Sequence, residues 1–220
     1  MRKKIIDIIV CTLLIVAIVP FTAMAGDEND PEIVDEQNDC FGALVQHPFR
    51  LTFLQALGIL KIDSFDGIDI VSAWFYENSD EPDYLFAAVK LNDLEPINQR
   101  AIYSVHWSYN GVQYSVGSHI INNGQFIGCQ VGRSTWIDRD YNQAEATYDF
   151  DTNIVTFKFS KEFIGNPNPG DVLTDTFAWT ALRLNFEQLT LLFSSGELIK
   201  DAAPFLEDNK DFGRDYVIQH

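Results

Sequence analysis

Residues 101–121 read AIYSVHWSYNGVQYSVGSHII, and large apolar and polar side chains alternate on both sides of Asn110-Gly111. An Asn-Gly pair between alternating runs is the strongest short hairpin signal, because a type I′ turn needs positive φ at both central residues. With that turn, Tyr109 opposes Val112, Trp107 opposes Tyr114 and Val105 opposes Val116. The other face then pairs His106 with Ser115 and Ser108 with Gln113. One face is aromatic and aliphatic, the other polar, and a slip of one residue would mix them.

The same period of two extends outward. Ile68–Tyr76 and Tyr84–Leu91 are predicted strands, separated by the turn-rich stretch 78–83. Asn122-Asn123-Gly124 reverses the chain into Gln125–Arg133. Ala144–Asp149 and Ile154–Ser160 form a further hairpin about Phe150–Asn153, and Val155, Phe157 and Phe159 mark its buried face. Ser160 caps a single helical turn ending at Gly165, and Asn166-Pro167-Asn168-Pro169-Gly170 is a rigid loop. Strand-like sequence returns over Val172–Phe186, with a continuation to Phe193, and at Asp215–Gln219. Phe49, Phe53, Leu54, Leu57 and Leu60 recur at helical spacing after Pro48 and predict a short amphipathic helix within 41–62. No long helices alternate with strands. The expected fold is therefore all-β: a two-sheet antiparallel β-sandwich of jelly-roll or Ig-like topology, with a short N-terminal helix.

Gly124, Gly128 and Gly132 recur every fourth residue and share one face of a regular strand. The expectation is that Trp107 and Tyr114 lie over them inside the core, and the alternative is a flat ligand groove. Cys129, Ile127 and Val131 then face the other way and need a cover, which the 41–62 segment is expected to supply.

Arg2, Lys3 and Lys4 precede an apolar run over Ile5–Val19, Pro20 breaks it, and Ala23-Met24-Ala25 precedes Gly26. This is the pattern of a secretory signal, residues 1–25, cut between Ala25 and Gly26. The alternative is an uncleaved N-terminal membrane anchor, for which the run is short. Residues 26–39 are acidic and read as a solvated leader, followed by a single domain over 40–220.

The chain carries 15 Lys and Arg against 32 Asp and Glu among its 220 residues, a net charge of −17. Cleavage would make it more negative by two, since Arg2, Lys3 and Lys4 leave with only Asp7. Such a charge excludes nucleic acid as the leading partner and disfavours an anionic membrane surface. Both methionines, Met1 and Met24, lie in the signal, so the cleaved chain has no Met/His pair for haem, and haem is not expected. Cys40 and Cys129 remain. In an oxidising compartment they form a disulfide, which could contribute about 4 kcal/mol in the chain-entropy model. Two buried thiols are the alternative.

No nucleophile motif and no zinc spacing is present, and His47, His106, His119 and His220 are scattered. Among the acids, Glu77, Glu145 and Glu187 come from strand-like stretches and keep a paired-carboxylate glycosidase open. Asp149-x-Asp151-x-Asn153 has the alternating oxygens that open a calcium loop, but it lacks the following glycine and an acid at the twelfth position. Asp and Asn also favour turns, so the same residues serve a hairpin equally well. Asp138-x-Asp140-x-Asn142 repeats the spacing. Calcium is the one cofactor left open. Trp136 and Tyr141 lie in a polar stretch where exposed rings could stack on sugars. Folding back as edge plugs is the other reading.

Pro31-Glu32-Ile33-Val34-Asp35-Glu36, Asp69-Ile70 with Ala73-Trp74-Phe75, Ile164-Gly165-Asn166-Pro167 with Pro169-Gly170-Asp171, and Gly213-Arg214-Asp215-Tyr216 together resemble secreted β-sandwich domains of the DOMON and carbohydrate-binding-module-9-like group, closest to versions in archaeal surface proteins. The resemblance spans about 31–219. It implies a non-catalytic binding or accessory module at the cell surface, with an extracellular glycan or a surface protein as partner. The alternatives are a cell-envelope interaction module and the glycosidase.

Overall fold

The computed structural model describes residues 26–36, 66–94, 100–121, 125–133, 141–183, 199–204 and 212–220. The signal segment 1–25, the helix expected within 41–62, Cys40, His47, Trp136, Asp138, Asp140 and Glu187 lie outside these residues. So does any continuation of the 172–183 strand toward Phe193.

The described chain is all-β. Its strands are β1 (Ile33–Val34), β2 (Ile70–Tyr76), β3 (Tyr84–Leu91), β4 (Arg100–Tyr109), β5 (Val112–Ile121) and β6 (Gln125–Arg133), followed by β7 (Tyr141–Asp149), β8 (Ile154–Ser160), β9 (Val172–Arg183), β10 (Ile199–Ala203) and β11 (Tyr216–Val217). Asn110 and Gly111 have φ of +51° and +74°, the pair of positive values that a type I′ turn requires. The register is the expected one, with Trp107 opposite Tyr114 and His106 opposite Ser115. Ser160 accepts the N–H of Glu162 and opens a 3-10 turn, Lys161–Ile164, which ends at Gly165 with φ of +91°.

All strand pairs are antiparallel. Ten strands follow one hydrogen-bonded path in the order β1-β2-β3-β8-β7-β6-β5-β4-β9-β10, and β11 pairs with β9. β7 carries the chain between the two ends of this path. Its residues Tyr141–Ala144 pair with β6, whereas Glu145–Asp149 pair with β8. The sheet is thus one continuous curled surface, and its concave side holds the core.

The core joins distant strands. Trp107 of β4 stacks on Phe159 of β8 at 5.3 Å and meets Phe75 of β2 edge-on at 5.5 Å. Polar ties close the same gap. Tyr103 of β4 donates to the Gly67 carbonyl at 3.0 Å, Thr180 of β9 donates to the Ile68 carbonyl, and the Ile70 N–H donates to Asp201 of β10 at 2.6 Å. Each tie satisfies a backbone group that would otherwise be buried unpaired.

Three features differ from the sequence expectation. Residues 26–36 are not a solvated leader: Ile33 is fully buried and β1 pairs with β2. A one-in-two apolar pattern was absent there because Glu32, a charged residue, also points inward. β10 was likewise unmarked, since IKDAA carries the buried Asp201 at its centre. The glycine face of β6 is not the core face either. Cys129 and Val131 join Trp107 and Tyr114 in the core, while Gly128 and Gly132 pair with His119 and Ser115 on the other side. A bulge between His119 and Ile120 leaves Ile127 unpaired and breaks the strict alternation on which a continuous glycine face depends.

Gly213 passes tightly over the edge: a Cβ there would stand 2.7 Å from the Glu32 carbonyl oxygen. Gly213→Ala is therefore expected to destabilise the fold by about 1–3 kcal/mol, as overpacking against backbone does. Trp107→Ala is expected to cost about 3–5 kcal/mol. Trp107→Phe should cost less, because it keeps a ring and removes an indole N–H that has no hydrogen-bond partner among the described residues. Urea unfolding of the three variants checks this order.

Candidate functional site

A cleft of 590 Å³ opens where the 3-10 turn and the 166–170 loop meet the start of β3. The β3–β8 ladder sets Tyr84 opposite Ser160, and Lys161 N–H donates to the Asp83 carbonyl at 2.9 Å. This brings together side chains that lie about eighty positions apart. The loop is held by Asp171, whose carboxylate accepts the Asn168 N–H and the Tyr109 hydroxyl, both at 2.7 Å. Those two donors hold the Asp171 carboxyl below the usual range. Gly170, at φ +92°, turns the chain so that its N–H reaches the Ile218 carbonyl at 2.8 Å.

Lys161, in the cleft lining, is held by an ion pair behind it. Lys161 and Glu77 bond through nearly buried side chains, 6% and 1% exposed, so water screens the pair little. Lys161 also donates to the His220 carbonyl, and Glu77 accepts the Tyr216 hydroxyl at 3.2 Å and the Gln219 N–H at 2.5 Å. Burial and the Glu77 charge push the Tyr216 hydroxyl well above the ordinary phenol range. The rim is polar and open. Tyr84 is 38% exposed, with the Lys158 ammonium 4.5 Å above its ring centre. Lys158 is itself paired with Glu81. Asp83, Glu162, Asn166 and Asn168 are exposed around Tyr84.

The sequence-derived site residues are distributed differently. Trp136 lies outside the described residues, and Tyr141 opens β7 opposite Gly132, away from this cleft's lining. Asp149 accepts the N–H groups of Asp151 and Thr152 at 3.0 and 3.2 Å, and the Thr152 hydroxyl together with these donors holds its carboxyl below the usual range. Asn153 sits at φ +62° and accepts the Leu94 N–H at 3.0 Å. These are turn contacts, and among the described residues no group of three His, Cys, Asp or Glu could hold a metal ion. Cys129 is buried, and burial pushes its thiol up to about 12. Of the candidate carboxylates, Glu77 is committed to Lys161, while Glu145 is exposed beside Lys158, its partner across the strands.

Ser104 and His106 are a pair that sequence reading missed, although alternate positions on one strand share a face. His106 Nε2 lies 3.1 Å from Ser104 Oγ, but that hydroxyl donates to the Trp179 carbonyl at 3.0 Å. The imidazole N–H must then donate to Ser104, the reverse of what a general base needs. Burial lowers the His106 pKa to about 4, and its ring stacks on Phe177 at 4.4 Å.

No protein-family model matches the chain, and no curated protein or solved structure matches it.

The ion pair sets a test. Lys161→Met leaves Glu77 buried without its cation and is expected to cost about 3–5 kcal/mol. Adding Glu77→Leu should recover part of that loss, because the uncompensated charge is then gone. Chemical denaturation of both variants measures the difference.

Proposed function

We propose that this chain is a secreted, non-catalytic binding module, and that the cleft beside Tyr84 takes a carbohydrate. The observation that carries the reading is one exposed aromatic ring ringed by carboxylate and amide side chains. The ring can cover the apolar face of a sugar while Asp83, Glu162, Asn166 and Asn168 bond its hydroxyls. Glu77, the buried candidate acid, is ion-paired with Lys161 and lies outside the cleft lining, so it does not serve there as one of the two carboxyls that glycoside hydrolysis uses.

Secretion rests on the basic start, the apolar run and the Ala23-Met24-Ala25 site. The finer fold reading is a two-layer sandwich of the DOMON and carbohydrate-binding-module-9-like kind, with a short helix in 41–62. It draws support from the curl of the sheet and from the rings that meet across it. The Cys40–Cys129 disulfide belongs to the same reading.

Calorimetric titration with soluble oligosaccharides at millimolar concentration tests the proposal. Binding by at least one glycan is expected, and Tyr84→Ala should weaken it about tenfold, the loss of one ring contact. No binding across the panel, or binding that Tyr84→Ala leaves unchanged, would contradict it.

A further inference from the structure

Gly26 is buried against the carboxyl group of Glu32. A Cβ placed on Gly26 would fall 2.1 Å from one Glu32 oxygen and 2.2 Å from the other. Since nitrogen and Cβ share the same Cα, the Gly26 nitrogen lies within about 4.6 Å of the nearer oxygen by standard backbone geometry. Nothing larger than glycine fits there unless Glu32 moves.

The segment is held in place independently of the bond that precedes it. Asp27 accepts the N–H groups of Asn29 and Asp30 at 2.6 and 3.1 Å and forms a tight turn. Glu28 pairs with Lys90 on β3. Arg214 clamps the Asp30 carboxylate at 2.6 Å and the Pro31 carbonyl at 2.8 Å, while its own N–H donates to the Glu32 carbonyl at 2.8 Å. Within this frame the Glu32 side chain is turned inward, its residue 6% exposed, and accepts the Phe75 N–H at 2.9 Å.

A carboxylate buried this far carries a penalty that neutral donors do not offset. Burial raises its pKa to about 7, against the smaller lowering effects of the Phe75 and Glu32 N–H groups and of Arg214. Asp30 raises it further, and Tyr216 is the other titratable group that feels its charge. Among the described residues no cation forms an ion pair with the Glu32 carboxylate.

We propose that cleavage between Ala25 and Gly26 supplies that cation: the α-ammonium of the new N-terminus pairs with the Glu32 carboxylate, which is its receptor. The step is a hydrolysis. Water adds across the Ala25–Gly26 amide, Ala25 leaves with a new carboxylate, and Gly26 keeps the nitrogen, protonated at neutral pH. An amide nitrogen offers one neutral donor, whereas the ammonium offers three and a full charge.

The sign of the effect follows. Pairing raises the α-ammonium pKa above its unfolded value of about 7.7–8.0. Its stabilising contribution is present below that value for as long as Glu32 stays ionised, and is lost as pH rises through the folded pKa.

The inference rests on the export reading, and the experiment separates the two. The whole chain, with residues 1–25, is produced in a secreting host and the exported product is weighed by mass spectrometry. Its N-terminal amine is then labelled competitively with acetic anhydride across pH, folded and in urea, and read on the N-terminal peptide. A product starting at Gly26, with an amine pKa at least one unit higher folded than unfolded, is expected, so that labelling at pH 7.5 is about tenfold slower. Glu32→Gln should abolish the difference. The folded-against-urea comparison stands without that variant. A Gly26 start with equal pKa values would overturn the receptor and leave export intact. A different start would overturn the receptor and leave export intact, whereas an uncut chain would overturn both.

Discussion

Trp107 makes the contact on which the rest of the structure depends. Its ring is stacked on Phe159 at 5.3 Å and on Tyr114 at 6.1 Å, and Phe75 meets it edge-on at 5.5 Å. These residues come from β4, β8, β5 and β2, so one side chain ties together strands from both ends of the hydrogen-bonded path. A curled sheet has no reason to stay curled unless its concave face is filled, and the aromatic rings fill it. The polar ties from Tyr103, Thr180 and Asp201 to the 67–70 backbone act at the same gap. They would leave buried groups unpaired if the two ends drew apart, so they add specificity to what the rings supply in area.

Local signals were legible where the backbone had one solution. Asn110-Gly111 dictated its turn, and the turn dictated every pair of the β4–β5 ladder. Ser160 and Gly165 bracketed their helical turn in the same way, through a side-chain cap and a positive φ. Edge strands were not legible. Glu32, just before β1, and Asp201, at the centre of β10, each carry a buried carboxylate, and hydrophobic periodicity treats such a residue as solvent-facing. Their burial makes sense only with the partners, the N–H groups of Phe75 and Ile70, which lie more than forty positions away. The orientation of β6 failed for a related reason. A bulge at Ile127 shifts the alternation by one, and no residue in that stretch announces it.

The cleft shows the same division. The 166–170 loop and the exposed start of β3 could each be read alone, but their meeting depends on the pairing of β3 with β8. Glu77 and Lys161 were an acid and a base of no special standing until the fold buried both beside Tyr216 and Gln219. The two buried carboxylates have different partners: Glu77 is ion-paired with Lys161, whereas Glu32 accepts the Phe75 N–H and burial pushes its pKa up to about 7.

The contact at Trp107 can be observed directly. Nuclear Overhauser spectra of protein labelled in its aromatic rings report proton pairs closer than about 5 Å, and centroid separations such as these place ring protons within that reach. Cross-peaks from the Trp107 indole to both Phe75 and Phe159 are predicted. An indole that shows cross-peaks to β5 and β9 neighbours alone, with none to Phe75 or Phe159, would contradict a sheet curled around this ring.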